Sequence, residues 1–218
     1  MELQEYLGLV VNQKTDIKPL IASLTEQVLI DDDFRQLVIN QLMTNDFILV
    51  YYPSFLIIEK ASKSHPLLFF CYWDKFSLLL DYKNSYHRNY GMQILANLTK
   101  VDDLDKFDGI FDAYYKQLND VKFLTRRYCI LNSRNIIKNK PSLSDSIVSN
   151  IIDSIKTSNN SEKQQNLIIA DFINVVSETL SLIKEKKELL DFLFLIDNQT
   201  NSLKVKKEIH KVIAKIKK

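Results

Sequence analysis

Apolar residues recur along the chain at the spacing of amphipathic helices. In three successive segments they step by one, three, one and three positions, which places each set on one stripe of a helix. The stripes are Leu68, Phe69, Tyr72, Trp73 and Phe76; Ile110, Phe111, Tyr114, Tyr115 and Leu118; and Ile147, Val148, Ile151, Ile152 and Ile155. This pattern predicts helices that each bury one face in a core.

These stripes belong to a longer repeat of two helices. From Pro66, the next unit begins near Asp103 and the following one at Pro141, a period of about 37 residues that is typical of two-helix repeats. The second helices also correspond, because Tyr86–Leu98 aligns with Leu124–Ile136. The sequence therefore predicts stacked helix pairs.

The repeated order is a proline, a first helix, a polar turn and an arginine near the start of the second helix. From about Phe47 to Lys156 this order resembles HEAT-type repeats, the helix pairs of armadillo/HEAT solenoids, and HPLLFFCYWDKFSLLLDYKNSYHRNYGMQILANL is similar to small microbial HEAT-repeat proteins. The resemblance implies an all-α, right-handed α-α superhelix of about five to six antiparallel helix pairs. It also implies that the second helices line a concave surface.

The terminal parts of the chain follow the repeat less regularly. We expect one HEAT-like domain over residues 1–218, with 47–156 as the best-matched repeats and 1–46 and 157–218 as irregular terminal repeats. Further helices are expected over Met1–Asn12, Asp16–Leu29, Phe34–Met43, a segment from Asn45 or Asp46 to Lys63 that bends or restarts at Pro53, Gln164–Lys184, Glu185–Asp197 and Ser202–Lys218.

Three consecutive carboxylates, Asp31 to Asp33, precede one of these helices. Carboxylates at a helix amino terminus supply capping oxygens and suit the macrodipole, so we interpret them as caps. A metal site is the less favoured interpretation, because neighbouring residues point in different directions and a calcium loop needs a distal Glu.

The glycine and cysteine content and the lack of long apolar segments reduce the classes of function that the chain could have. Only three glycines occur, which disfavours phosphate-binding loops and favours short connections between helices. Cys71 and Cys129 both fall in predicted helices among apolar neighbours and are interpreted as reduced core cysteines. Met1–Val10 lacks a secretory pattern, and the apolar stretch Phe47–Ile58 is too short to span a bilayer, so we expect a cytoplasmic protein.

Charge is spread unevenly along the chain. Residues 1–109 carry a net charge of −5 and residues 110–218 carry +7. A basic carboxy-terminal half would suit an acidic protein, a nucleic acid or a membrane surface. Ordinary solvated helix faces are the alternative explanation.

A row of basic residues near the starts of the second helices is one candidate binding feature. Its members are His87, Arg88, Arg126, Arg127, Lys163, Lys204, Lys206 and Lys207. Such a row would form a basic track along a groove. For Arg88 and Arg126 the resemblance also implies a structural role, in which each pairs with an acidic residue of the preceding turn, Asp81 or Asp120.

A polar run, Asn132 to Asn135, interrupts one second helix and is another candidate. Four consecutive polar residues cannot all face solvent on a packed helix, so some hydrogen-bond inside the stack or face a groove. We favour Arg134 and Asn135 as groove residues, beside Asn97 of the neighbouring repeat. The complete candidate partner-binding set is Arg127, Arg134, Asn135, Asn97, His87 and Lys163.

The sequence predicts a non-catalytic binding protein. No histidine has a cysteine or carboxylate at metal-ligand spacing, and no nucleophile elbow or phosphate loop occurs, so we expect no cofactor, metal or catalytic residue. A protein partner of a monomeric scaffold is the first expectation, and a nucleic acid is the alternative. A DNA glycosylase-like enzyme ranks third, by analogy with glycosylases built from HEAT-like repeats, and Trp73 is expected in the core.

Overall fold

The structure, a computed structural model, describes residues 17–217, and all regular secondary structure in these residues is helical. No strand occurs in those residues, and the all-α prediction is confirmed. The helices are α1 Lys18–Ile30, α2 Asp32–Thr44, α3 Ile48–Ser64, α4 Leu67–Phe70, α5 Trp73–Leu78, α6 Ser85–Leu98, α7 Lys106–Tyr115, α8 Phe123–Asn139, α9 Ser144–Thr157, α10 Glu162–Thr179, α11 Lys186–Gln199 and α12 Leu203–Ile216. The predicted helix Met1–Asn12 and the cap at Asp16 lie outside the described residues.

The chain divides into two compact units, Met1–Leu104 and Asp105–Lys218. The first unit contains α1 to α6 and the second contains α7 to α12. Each unit has its own apolar core. In the first the largest buried side chains include Phe69, Trp73 and Phe76, and in the second Phe107 and Phe172.

In the first unit α3 and α6 lie side by side and run parallel. Tyr51 packs on His87, with 4.5 Å between ring centroids, and Phe55 stacks on Tyr90 at 3.9 Å. At the other end Asn97 donates hydrogen bonds to the Glu59 carbonyl oxygen at 3.3 Å and to Ser62 Oγ at 3.2 Å. In each of these contacts the α6 residue therefore comes 35 to 38 positions after the α3 residue in the sequence.

In the second unit α8 and α10 also run parallel. Arg127 pairs with Asp171, and Arg134 pairs with Glu178, so both contacts join residues 44 positions apart. The first helices of the pairs are linked as well, because Ser149 Oγ of α9 donates to Glu188 Oε1 of α11 at 3.1 Å.

The last two helices of this unit, α11 and α12, run antiparallel. His210 contacts Asp197, and Lys217, just after α12, lies over the ring of Phe194. The later of these two residues, Lys217, therefore meets the earlier residue of α11, as in an antiparallel pair.

Local sequence signals set most helix boundaries. Asp31 Oδ1 accepts the Phe34 backbone N–H at 2.9 Å, which confirms the predicted acidic cap of α2. The polar segment after Thr157 separates α9 from α10, and Ser161 with Gln164 forms a capping box there. Arg35, 5% exposed, donates to the Val28 carbonyl oxygen at 2.6 Å and so satisfies the carboxyl end of α1.

Two local predictions are wrong. The helix expected from Pro66 is interrupted at Cys71 and Tyr72, which separate α4 from α5. Cys71 is exposed, whereas Cys129 is buried as predicted. Of the two effects expected of Pro53, a restart of the helix does not occur, because α3 continues from Ile48 to Ser64.

Candidate binding surface

The second helices of the second unit, α8, α10 and α12, share one side of the unit, mostly polar, which we call the α8–α10–α12 face. Contacts link α8 to α10 and α10 to α12 along their lengths. The face consists of Arg127, Arg134, Asn135 and Lys138 on α8; Lys163, Asn166, Leu167, Ala170, Asp171, Asn174, Ser177 and Glu178 on α10; and Lys204, Val205, Glu208 and Lys215 on α12.

Ion pairs join α8 to α10 along the line where the two helices meet, which we call the α8–α10 seam. Arg127 Nε lies 2.6 Å from Asp171 Oδ2, and its Nη2 lies 3.1 Å from Oδ1, a two-point contact. Two turns further on, Arg134 Nη1 lies 2.6 Å from Glu178 Oε1. Lys138 Nζ reaches the other oxygen of Glu178 at 2.9 Å.

The pKa shifts at this seam follow from these contacts. The hydrogen bond to Asp171 raises the pKa of the Arg127 guanidinium. The hydrogen bond from Lys138, with the charge of Arg134 adding to it, lowers the pKa of Glu178. Both shifts favour the charged forms of Arg127 and Glu178, so the seam is held electrostatically.

Between α10 and α12 the face is open. A cavity of about 420 Å³ is lined by Lys163, Leu167 and Ser202 among others, and a second of about 300 Å³ is lined by Asn174, Ser177 and Glu208. Ala170, Lys204 and Val205 line both cavities, so the two form one groove. We call this the α10–α12 groove.

Four of the six predicted binding residues belong to this face. Arg127 and Arg134 lie at the α8–α10 seam, where both are paired with carboxylates. Asn135 is half-buried beside them on α8. Lys163 is exposed at the start of α10 and lines the groove.

The other two predicted residues are not surface groups, and that part of the prediction is wrong. His87 is fully buried in the first unit, where its ring stacks on Tyr82 with 4.4 Å between centroids. Asn97 is only 9% exposed, and its amide nitrogen donates hydrogen bonds inside the unit, to the Glu59 carbonyl oxygen and to Ser62 Oγ. Neither side chain can meet a partner without unpacking α3 from α6.

The two arginines with a predicted structural role differ from each other. Arg88 Nη1 donates to the carbonyl oxygens of Tyr82 and Lys83, at 2.7 and 3.1 Å, and thus braces the turn before α6. Arg126 forms no ion pair with a described residue, so the predicted pair with Asp120 is absent there. Its guanidinium instead lies 5.9 Å from the Phe123 ring centroid.

In the polar run, Ser133 hydrogen-bonds in the buried interior of the unit. It is fully buried, donates to the Cys129 carbonyl oxygen and lies 3.1 Å from the Tyr115 hydroxyl.

Asp171 and Glu178 are residues of this face that the sequence did not point to. They stand seven positions apart, as do their partners Arg127 and Arg134. Equal two-turn spacing of opposite charges on successive second helices is the signal that would have revealed them.

The described residues contain no cluster of three or more His, Cys, Asp or Glu side chains placed to hold a metal ion. Within the same residues, every helix is either too short or too polar to cross a bilayer. In comparisons with known proteins, the sequence matches no family model and shows no significant similarity to a curated protein.

Proposed function

We propose that the protein is a non-catalytic scaffold that binds a protein partner through the α8–α10–α12 face. In this proposal the helix pairs form a HEAT-like array, the face is its concave side, and the protein acts as a monomer in the cytoplasm. The observation that carries the proposal is the parallel packing of α8 on α10 by contacts 44 residues apart, with an open groove between α10 and α12.

Parallel second helices present their side chains as rows across several repeats. An extended segment or a helix of a partner can then touch several rows at once, which is a common way of recognising a polypeptide. The seam arginines already bind carboxylates, so they hold the rows in register. Half-buried Asn135 and exposed Asn174 remain available for contact.

Site-specific photo-crosslinking tests this proposal. A photoreactive amino acid at Asn135 or Asn174 samples the face, and the same residue at Asp112 of α7 or Asp153 of α9 samples exposed positions on first helices as a matched control. We expect the two face positions to yield the same discrete, nuclease-resistant adduct in cells and the two controls to yield none. Equal adducts from all four positions, or none from the face, would contradict the proposal.

Nucleic-acid binding is the second candidate, and one observation favours it. Helix α12 carries five lysines and one glutamate between Leu203 and Ile216. Affinity for a random duplex that falls steeply with rising salt, together with nuclease-sensitive adducts from the face, would support this candidate, because each neutralised phosphate releases counterions. We do not propose glycosylase activity, since Trp73 is 1% exposed and lies in the core of the first unit.

A further inference from the structure

The two seams between second helices in the second unit differ in how they are filled. Three ion pairs bridge α8 and α10. Within the described residues no ion pair joins α10 to α12. These two helices are linked near the ends of the groove instead, where Asn166 lies 3.1 Å from Thr200 just before α12, and Lys215 donates to Ser177 Oγ at 3.2 Å.

The α10–α12 groove lies between those two contacts. Its cavities, about 420 and 300 Å³, are of the size that ligand sites have, about 300–1,000 Å³. Apolar atoms of Leu167, Ala170 and Val205 line it, and Leu167 remains 37% exposed although it lies beside a recess. A partner's apolar side chain placed there would cover this surface.

Two lysines and three carboxylates line the groove. Two of the carboxylates are already paired with groups outside the lining, because Asp171 is bound by Arg127 and Glu208 accepts a hydrogen bond from Lys211 at 2.7 Å. That hydrogen bond lowers the pKa of Glu208, and the charge of Lys204 adds to the effect. Lys163 and Lys204 make no ion pair with a described residue, so two lysines remain against one further carboxylate, Glu162 in the first turn of α10.

We propose that the α10–α12 groove binds a polypeptide segment in which acidic side chains flank an apolar one, an inference that rests on the proposed function and specifies its partner. The apolar side chain lies over Ala170 and Val205, and the flanking carboxylates pair with Lys163 and Lys204. A polypeptide suits the groove better than a nucleic acid, because none of its lining residues is an aromatic on which a base would stack.

Fluorescence anisotropy with three labelled twelve-residue peptides tests the inference on the full-length protein. The first peptide has a central Leu between Asp and Glu residues, the second has Ser in place of Leu, and the third has Lys in place of the acidic residues. A single-stranded oligothymidine of the same length is the fourth probe. We expect saturable binding of the first peptide only.

Two groove variants and one matched control locate the binding. K163E/K204E should weaken binding of the acidic leucine peptide by about tenfold or more, as for loss of close charge pairs at an interface, and should gain binding of the basic peptide. Ala170→Phe should abolish binding, because the ring fills the place where both cavities meet. K186E/K187E makes the same charge change at exposed positions of α11 and should bind like the unmodified protein.

Several results would overturn the inference. They are no saturable binding of the acidic leucine peptide, equal binding of the serine peptide, equal loss in K186E/K187E, or tighter binding of oligothymidine that K163E/K204E removes. If peptide binding fails while Asn135 and Asn174 still crosslink a protein in the Ala170→Phe variant, the groove inference falls and the proposed function stands. Absence of those crosslinks in the otherwise unmodified protein is a failure of the proposed function itself.

Discussion

His87 shows how burial changes the role of a single residue. Its ring lies between Tyr51 and Tyr82, near Tyr90, and neither ring nitrogen makes a hydrogen bond of ordinary geometry. Burial lowers the pKa of His87, an effect that the Leu42 backbone and the Asp46 carboxylate oppose and that Lys83 reinforces. The imidazole is therefore neutral at neutral pH and acts as a flat packing group between tyrosines.

We predict that His87 makes the protein less stable in mild acid. Because its folded-state pKa lies below the unfolded value of about 6.5, only the unfolded chain takes up the proton as the pH first falls below that value. The contribution of His87 to the free energy of unfolding should be level above about pH 7 and should decrease from about pH 6.5 downwards. Urea unfolding across this range measures the slope.

A phenylalanine at position 87 is the informative variant. His87→Phe keeps an aromatic ring and cannot be protonated. Its free energy of unfolding should therefore change less between pH 7 and pH 5.5 than that of the unmodified protein, and the two slopes should differ by the uptake of roughly one proton per molecule. His65→Phe is the matched control, since His65 is exposed. An unchanged slope in His87→Phe would contradict the assignment.

At the scale of helices, Gly91 sets how closely α6 approaches the end of the preceding helix. A Cβ atom at this position would lie 2.7 Å from the Leu79 Cβ and 3.3 Å from the Phe76 carbonyl oxygen. Gly91→Ala should therefore destabilise the protein by about 1–3 kcal/mol, the usual cost of overpacking. Equilibrium denaturation would give the value.

Gly109 provides the opposite expectation in the same measurement. It is exposed within α7, and a Cβ atom there meets nothing within 4 Å. Gly109→Ala should stabilise the protein by about 0.5–1 kcal/mol through helix propensity alone. A Gly91→Ala variant as stable as Gly109→Ala would show that the packing at Gly91 is not as described.

The α8–α10 seam allows the ion pairs to be ranked. The Arg127 and Asp171 side chains are 28% and 12% exposed and make a two-point contact, whereas those of Arg134 and Glu178 are 29% and 37% exposed. Double-mutant cycles with alanine should give a coupling energy of about 1–2 kcal/mol for the first pair and under about 1 kcal/mol for the second. Equal coupling in the two cycles would contradict the ranking.

Helices were easier to predict than contacts between them, for physical reasons. The stripe through Ile147, Ile151 and Ile155 is fully buried, because periodic apolar residues decide which face of one helix packs. His87 and Asn97 were placed wrongly because polarity favours exposure only when no partner or ring stack is available inside. The Arg127–Asp171 pair depends on which helix lies beside α8, and periodicity within a single segment does not contain that information.

For the molecule as a whole, the repeat period in the sequence predicted one continuous array of helix pairs. The structure divides into two compact units after Leu104. The period near 37 residues continues across that position, since it records similar helix pairs and not the extent of each core.

We predict that the two units unfold in separate steps, because each has its own buried core. The single tryptophan, Trp73, is buried in the first unit, so its fluorescence follows that unit alone, while far-ultraviolet circular dichroism follows helices of both. The two urea curves should not coincide. Gly91→Ala should lower the fluorescence midpoint, and Gly109→Ala, in the second unit, should leave it unchanged while shifting the dichroism curve. Coincident curves that both alanines displace would instead favour a single cooperative array, in which stability gained in one repeat is shared with its neighbours.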